Sequence, residues 1–253
     1  MKLMSYNILD GGETRIPEII KVIKNESPDY LTINEANSFA KDDFKILKQI
    51  AKETNLPYFE LALSGEYDYH VAVLSKYKLK NVHKIQPLMR ACIVSSIETE
   101  LGEISIASLH LTPYTEDLRH PEIDAILQFQ KQFPKRILMG DMNSLSPHDN
   151  YNPDMITGFN EEKVKKFTTD GKLRFDAIEK ILSSGYVDSA LKLSKNKDIT
   201  VPTLSAEEIH PKARLDYIFI SEPLVPHLQS YKVIKNELSH YSSDHYPIVA
   251  ELK

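Results

Sequence analysis

Two periods of apolar residues run through this chain. In "TRIPEIIKVIKNES" (14–27), Ile16, Ile19, Ile20 and Ile23 recur at i, i+3, i+4 and i+7. That spacing places them on one face of a helix, with Thr14 as N-cap and Pro17 in the first turn. "DDFKILKQIAKETN" (42–55), "DLRHPEIDAILQFQKQF" (117–133) and "KLRFDAIEKILSSG" (172–185) predict further helices, the last stopped by Gly185. Strands are predicted where short apolar or alternating runs are rich in β-branched residues: 2–9, 29–34, 69–75, 91–98, 103–111, 136–141, 214–220, 230–236 and 246–252. The runs between 57 and 111 are broken by short turns and read as a meander. Strands and helices alternate without a repeat, a low-complexity segment or a linker. This predicts one α/β (α+β) domain over 1–253, with packed sheets and outer helices. Residues 146–171 are the least regular part, long enough to be a functional lid or to hide a short helix.

Composition narrows the class. With 42% apolar and 26% charged residues, the 253-residue chain can bury a substantial core. A net charge of −5, with no Lys/Arg block, weighs against a long nucleic-acid track. "NEEKVKKF" (160–167) mixes signs and reads as a solvated helix face. The lone Cys92 lies in a predicted strand and reads as a buried structural thiol. No signal-peptide pattern and no apolar stretch of membrane-spanning length is present, so a cytoplasmic location is expected. No obligate protein partner is evident.

Chemistry enters where strands end. "LMSYN" ends at Asn7, "YLTINE" at Glu35, "SIASLH" at His110 and "ILMGDMN" at Asp141 and Asn143. "RLD" opens a strand with Asp216, and "SSDHYPIV" places Asp244 and His245 before the last one. Carboxylate and amide oxygens suit a hard cation such as Mg²⁺ or Mn²⁺. The absence of a Cys cluster or an HExxH motif argues against zinc. Two histidines beside several acids suit proton handling near neutral pH.

In order, "SYNIL", "INEA", "HVAVLSK", "SLHL", "GDMNS", "RLDYIF" and "SDHYPI" resemble the motifs of the endonuclease/exonuclease/phosphatase superfamily, from Asn7 to His245. The resemblance implies a four-layered sandwich, two mixed β-sheets face to face with helices outside, and metal-dependent phosphoester hydrolysis at one edge of the sheets. It implies Glu35 as the principal metal ligand, supported by Asn7 and Asp244, with Asp141 and Asn143 available to a second position. It implies His245 at the scissile phosphate, Asp216 orienting its ring, and His110 binding phosphate or assisting the leaving group. Asn143 would bind a phosphate oxygen, and Asp141 is the rival general base to His245. Apart from the resemblance, Arg90, Arg119 and His120 are candidate phosphate anchors at the cleft rim or else solvent-facing charges, and Tyr151 and Phe159 are candidate stacking or lid residues or else, the favoured alternative, core packing. Two departures stand out. Asn34 replaces the usual Gln before the metal-binding acid, and Leu9 stands where apurinic endonucleases carry Asp. The expected substrate is a nucleotide, a nucleic-acid end or a small phosphodiester. The alternatives are a nuclease on DNA or RNA and a non-catalytic binding member of the same fold.

Overall fold

The computed structural model describes residues 1–193, 198–206 and 210–253. In chain order the described residues form β1 (Lys2–Asn7), α1 (Ile16–Glu26), β2 (Tyr30–Asn34), α2 (Lys45–Thr54), β3 (Tyr58–Ala62), β4 (Val71–Ser75), β5 (Lys80–Lys84), β6 (Ala91–Thr99) and β7 (Gly102–His110). They continue with α3 (Glu116–Gln130), β8 (Arg136–Asp141), α4 (Glu161–Phe167), the short β9 (Thr168–Thr169) and β10 (Lys172–Leu173), α5 (Asp176–Ser183), β11 (Tyr186–Asp188) and α6 (Ser189–Leu193). Last come β12 (Asp216–Ser221), β13 (Leu228–Val233), α7 (Glu237–Ser242) and β14 (Ile248–Leu252).

Two six-stranded mixed sheets result, ordered β13-β14-β1-β2-β4-β3 and β11-β12-β8-β7-β6-β5. Each is built on a central parallel pair, β1 with β2 and β7 with β8, flanked by antiparallel neighbours. The first and last strands, β1 and β14, are adjacent.

Side-chain alternation builds the layers. Leu3 points inward to join Ile106, Ile137 and Ile218 between the sheets, while its neighbour Met4 points outward to α1 and α2. On the second sheet Ile137 and Met139 face inward, and Leu138 packs outward with Ile123 and Ile126 of α3. The isoleucine face predicted over 14–27 is the buried face of α1. Helices, sheet, sheet and helices thus form the expected four-layered sandwich. No helix of the described residues is long and apolar enough to cross a membrane. Cys92 is fully buried, as expected of a structural thiol.

Several boundaries differ from the sequence reading. The 57–111 stretch is not one meander. β3 and β4 belong to the first sheet and β5 to β7 to the second. Alternation reports which side chains share a face, not which sheet a strand joins. α1 begins at Ile16 because a 3-10 turn occupies Asp10–Arg15, so Thr14 is not its cap. α2 begins at Lys45 because Asp42, Asp43 and Phe44 hold positive φ. Lys172–Leu173 pair as a strand before α5 starts.

The interior between the sheets is not wholly apolar. On β2, Tyr30, Thr32 and Asn34 share one face and reach across to β7. The Thr32 Oγ1 and Ser108 Oγ hydroxyls lie 2.7 Å apart. Asn34 donates from Nδ2 to Leu109 O (2.8 Å), and its Oδ1 accepts from the Asp141 N–H (3.1 Å). One amide therefore clamps the two sheets together at the end that carries the chemistry.

Gly140 allows that close approach. Its φ is +142°, and a Cβ there would lie 1.8 Å from Leu109 O. Gly140→Ala is expected to lose about 3 kcal/mol or more of unfolding free energy, since the clash is with backbone and the conformation favours glycine. Urea denaturation measures this; a loss below about 1 kcal/mol would contradict the packing described.

Candidate functional site

Strand register brings the polar strand ends together. On the second sheet Asp216 pairs with Asp141, and Asp141 with His110. On the first, Asn7 pairs with Asn34, and Glu35 follows at once. Asp244 and His245 precede β14, whose Ile248 pairs with Ser5 of β1. Each of these side chains except Glu35 is at most 5% exposed. Glu35 and Asn143 adopt left-handed backbone (φ 58° and 49°), which turns the chain sharply at the ends of β2 and β8.

Asn7 bridges the sheets, donating from Nδ2 to Glu35 Oε1 (3.2 Å) and to Asp141 Oδ2 (3.1 Å). Glu35 Oε2 accepts from the Asp10 N–H at 3.0 Å. Asp141 Oδ1 accepts from the Asn143 N–H at 2.8 Å, and Asn143 Nδ2 donates to Leu111 O at 2.9 Å. His245 Nδ1 sits 2.8 Å from Asp216 Oδ2, and its Nε2 lies 3.9 Å from Asp141 Oδ2. His110 Nε2 is 3.4 Å from the same Asp141 oxygen. Arg214 pairs with Asp149 and Asp188, leaving Asp216 to the histidine.

Electrostatics follow from this crowding. Burial raises the Glu35 carboxyl, and the nearby Asp244 charge raises it further. Burial would raise Asp141 too, but His245, His110 and Lys166 outweigh it and hold the group below the usual carboxylate range. Asp244 is likewise held well below that range against its burial, by His245 and by a 2.9 Å hydrogen bond with His210. Burial pushes His110 down to about 3, so its ring is neutral at pH 7. His245 goes the other way. Burial alone would lower it, but Asp216, Asp244 and Asp141 surround it and push it up to about 10.

Buried acids this close repel one another unless a cation joins them. Ligand atoms of His210, Asp244 and His245, and of Asp141, Asp216 and His245, fall within 4.8 Å of one another. With the Glu35 carboxylate beside Asp244, the donor set is mostly hard oxygen and suits a divalent cation.

Two anchor expectations are corrected. Arg119 is wholly buried, with its guanidinium on Glu116 Oε1 (3.2 Å), Thr112 O (3.0 Å) and Lys166 O. It is a strut holding α4 to α3 and cannot reach a substrate. His120 lies on the outer helices with Asp124 (3.6 Å) and Lys180, not with the cleft side chains. Tyr151 donates to Asp149 and accepts from the Arg214 N–H, which makes it a packing residue. Phe159 is partly buried and lies beside Lys163. Arg90 stacks on the Tyr69 ring at 3.8 Å and adds to the charges that lower His110.

Three residues escaped the sequence reading. Asn34 was legible only as a departure from a familiar pattern. His210 sits in a segment with no periodicity. Lys166 belongs to the run read as a solvated face, yet its Nζ donates to Asn143 Oδ1. Only half of α4 is solvated: Glu161 and Lys165 form an exposed pair at 2.6 Å, whereas Lys166 points inward. The signal was the helical phase, since Lys163 and Lys166 share a face that Glu161 and Lys165 do not. The 146–171 segment thus contains the short helix that was one of its two readings.

The His245 proton gives a pH test on metal-free protein. A basic group raised from 6.5 to about 10 contributes stability that is fully present below pH 6.5 and lost as pH rises toward 10. With a chelator present, the melting temperature should fall between about pH 6.5 and 10 by more in the wild type than in His245→Gln. Equal pH profiles for the two proteins would sink this assignment.

Comparison with known proteins agrees with this fold. The family model described as endonuclease/exonuclease/phosphatase matches residues 4–245. A search of curated sequences returns no match. Among solved structures, an endonuclease/exonuclease/phosphatase family protein from Leptotrichia buccalis is 24% identical, with a TM-score of 0.70 over 100% of this chain and 99% of that one. An AP endonuclease from Archaeoglobus fulgidus is 19% identical (TM-score 0.74), again over 100% and 99%. A 3′ phosphatase, NExo, from Neisseria, bound to product DNA hairpin, is 18% identical (TM-score 0.71) over the same shares. At these identities the likeness is one of fold. The family match over nearly the whole length settles membership: the chain belongs to the endonuclease/exonuclease/phosphatase family of hydrolases acting on phosphoester bonds.

Proposed function

We propose that this protein is a single-domain, Mg²⁺- or Mn²⁺-dependent phosphoesterase acting on small phosphate esters. The observation that carries the reading is the convergence of Glu35, Asp141, Asp216 and Asp244 with a His245–Asp216 pair in one cleft. Glu35 and Asp244 are the cation's ligands. Asn7 supports them by holding Glu35 against Asp141 from across the sheets. A divalent cation in this position would neutralise phosphate charge and acidify a water.

The chain's own residues do the rest. Asp216 fixes the ring of His245, as carboxylates do for catalytic histidines elsewhere. Three surrounding acids keep that ring protonated, so it meets the phosphate as a cation and stabilises charge that builds in the transition state. Asp141, held ionised, is then the base. As the water oxygen bonds to phosphorus, the ester P–O bond breaks. Asp141 takes the water's proton and returns it to the leaving oxygen or to solvent. Asn143 keeps a second amide hydrogen for a phosphate oxygen, and neutral His110 offers a hydrogen bond beside the leaving group. Arg90, on its Tyr69 platform, is the remaining phosphate anchor.

Two observations bear on the substrate. The net charge of −5 counts against a long polymer track, and no cleft residue of the set is missing as a non-catalytic member would require. A nuclease reading has support from the fold shared with the DNA-bound Neisseria 3′ phosphatase. Salt separates the two, because activity on a polymer collapses with added salt.

The test is a phosphoester panel with Mg²⁺ or Mn²⁺, run on wild type and Asp141→Ala. The variant is expected to lose about 10²- to 10⁴-fold in kcat, and a chelator to abolish wild-type turnover. Equal rates for the two proteins, or turnover indifferent to chelation, would overturn the reading.

A further inference from the structure

Beside the carboxylate cleft lies a cavity of about 190 Å³. Its cationic lining comes from Lys163 and Lys166 of α4, and the His210 ring lines it as well. Its apolar wall comes from Pro113, Phe167 and Pro211. Among the described residues Glu162, exposed at the rim, is the one acid that lines it.

The cavity is joined to the chemistry by two of its own side chains. Lys166, which lines it, donates from Nζ to Asn143 Oδ1, next to Asp141. The His210 ring that lines it is hydrogen-bonded to Asp244 at 2.9 Å and packs edge-on against His245 at 5.8 Å. A group seated there would lie within one side chain of the scissile position.

Lys166 is not placed by chance. Arg119, buried on Glu116, accepts no substrate but donates to the carbonyl of Lys166, and Glu116 also accepts from Ser144 Oγ at 2.6 Å. One strut therefore fixes both the lysine and the loop that carries Asn143.

Size decides what fits. Pockets that take a whole drug-sized ligand hold about 300–1,000 Å³, and a water about 30 Å³. At 190 Å³ the cavity takes one group of a substrate, not all of it. The charges favour an anion, and the apolar wall suits the organic part linking it to the rest. We propose that this cavity is a specificity subsite for a second phosphate on the same small molecule, held by Lys163 and Lys166. This deepens the hydrolase reading and rests on it for the identity of the neighbouring cleft.

Binding to metal-free protein tests the subsite without turnover. Calorimetry in chelator would compare adenosine bearing phosphates on both its 3′ and 5′ hydroxyls with the two monophosphates. Wild type is expected to prefer the bisphosphate by about tenfold or more, the worth of one charge-assisted contact. Lys163→Gln and Lys166→Met should each remove most of that preference. Lys163 is partly exposed, so its variant reads out even if Lys166→Met fails to fold. Equal binding of bisphosphate and monophosphates by wild type, or a preference that survives Lys163→Gln, overturns the subsite. So does tighter binding of a phosphorylated trinucleotide than of the bisphosphate, with the same lysine dependence, because the cavity would then serve a polymer. Metal-dependent hydrolysis without a bisphosphate preference would refute the subsite alone. A lysine-dependent preference in a protein that hydrolyses no phosphoester would support the subsite and refute the hydrolase reading.

Discussion

The Asn34 side chain donates to Leu109 of β7 and accepts from Asp141 of β8, while its own strand belongs to the other sheet. Sheets packed face to face through apolar residues can slide, because the hydrophobic effect has no direction. A buried amide with both ends satisfied cannot, since moving it strands polar groups away from water. With Thr32 and Ser108 beside it, Asn34 sets the position of one sheet's edge against the other's. Everything in the cleft inherits that alignment. Asn7 can reach both Glu35 and Asp141 only because β2 and β8 end side by side.

What the alignment assembles is electrostatically unfavourable by itself. Glu35, Asp141, Asp216 and Asp244 are crowded in a poorly solvated place, and the protein answers with opposite charge. The His245 imidazolium, Lys166 and the His210 contact to Asp244 each offset part of the cost. The compensation is incomplete at Glu35, whose carboxyl is raised by burial and by Asp244. That residual strain is the physical case for a cation at Glu35 and Asp244.

Much of this was legible in the sequence, for a physical reason. Strand ends are where a sheet protein can present polar groups without breaking its core. An apolar run closing on Asn7, Glu35, His110 or Asp141 therefore announces itself. The α1 face was equally plain, because Ile16, Ile19, Ile20 and Ile23 answer to one period. What stayed hidden is what depends on packing between distant segments. Alternation within 57–111 could not say that β4 and β5 part into different sheets. Arg119 looked like a free cation because Glu116, three residues back, was only one of many acids it might meet. Lys166 and His210 carry no motif, and their positions follow from where α4 and the segment before β12 settle against the cleft.

The central question is whether the carboxylate cleft binds a divalent cation through the residues that need one. Titrating Mn²⁺ into metal-free protein, followed by the electron paramagnetic resonance of the free ion, measures this directly, without a substrate. Wild type is expected to take up Mn²⁺ saturably, with Mg²⁺ competing. Glu35→Gln and Asp244→Asn should each weaken uptake by about tenfold or more, because each removes one charged ligand. Binding that is undiminished in both variants, or no saturable uptake by a folded wild-type protein, would contradict it.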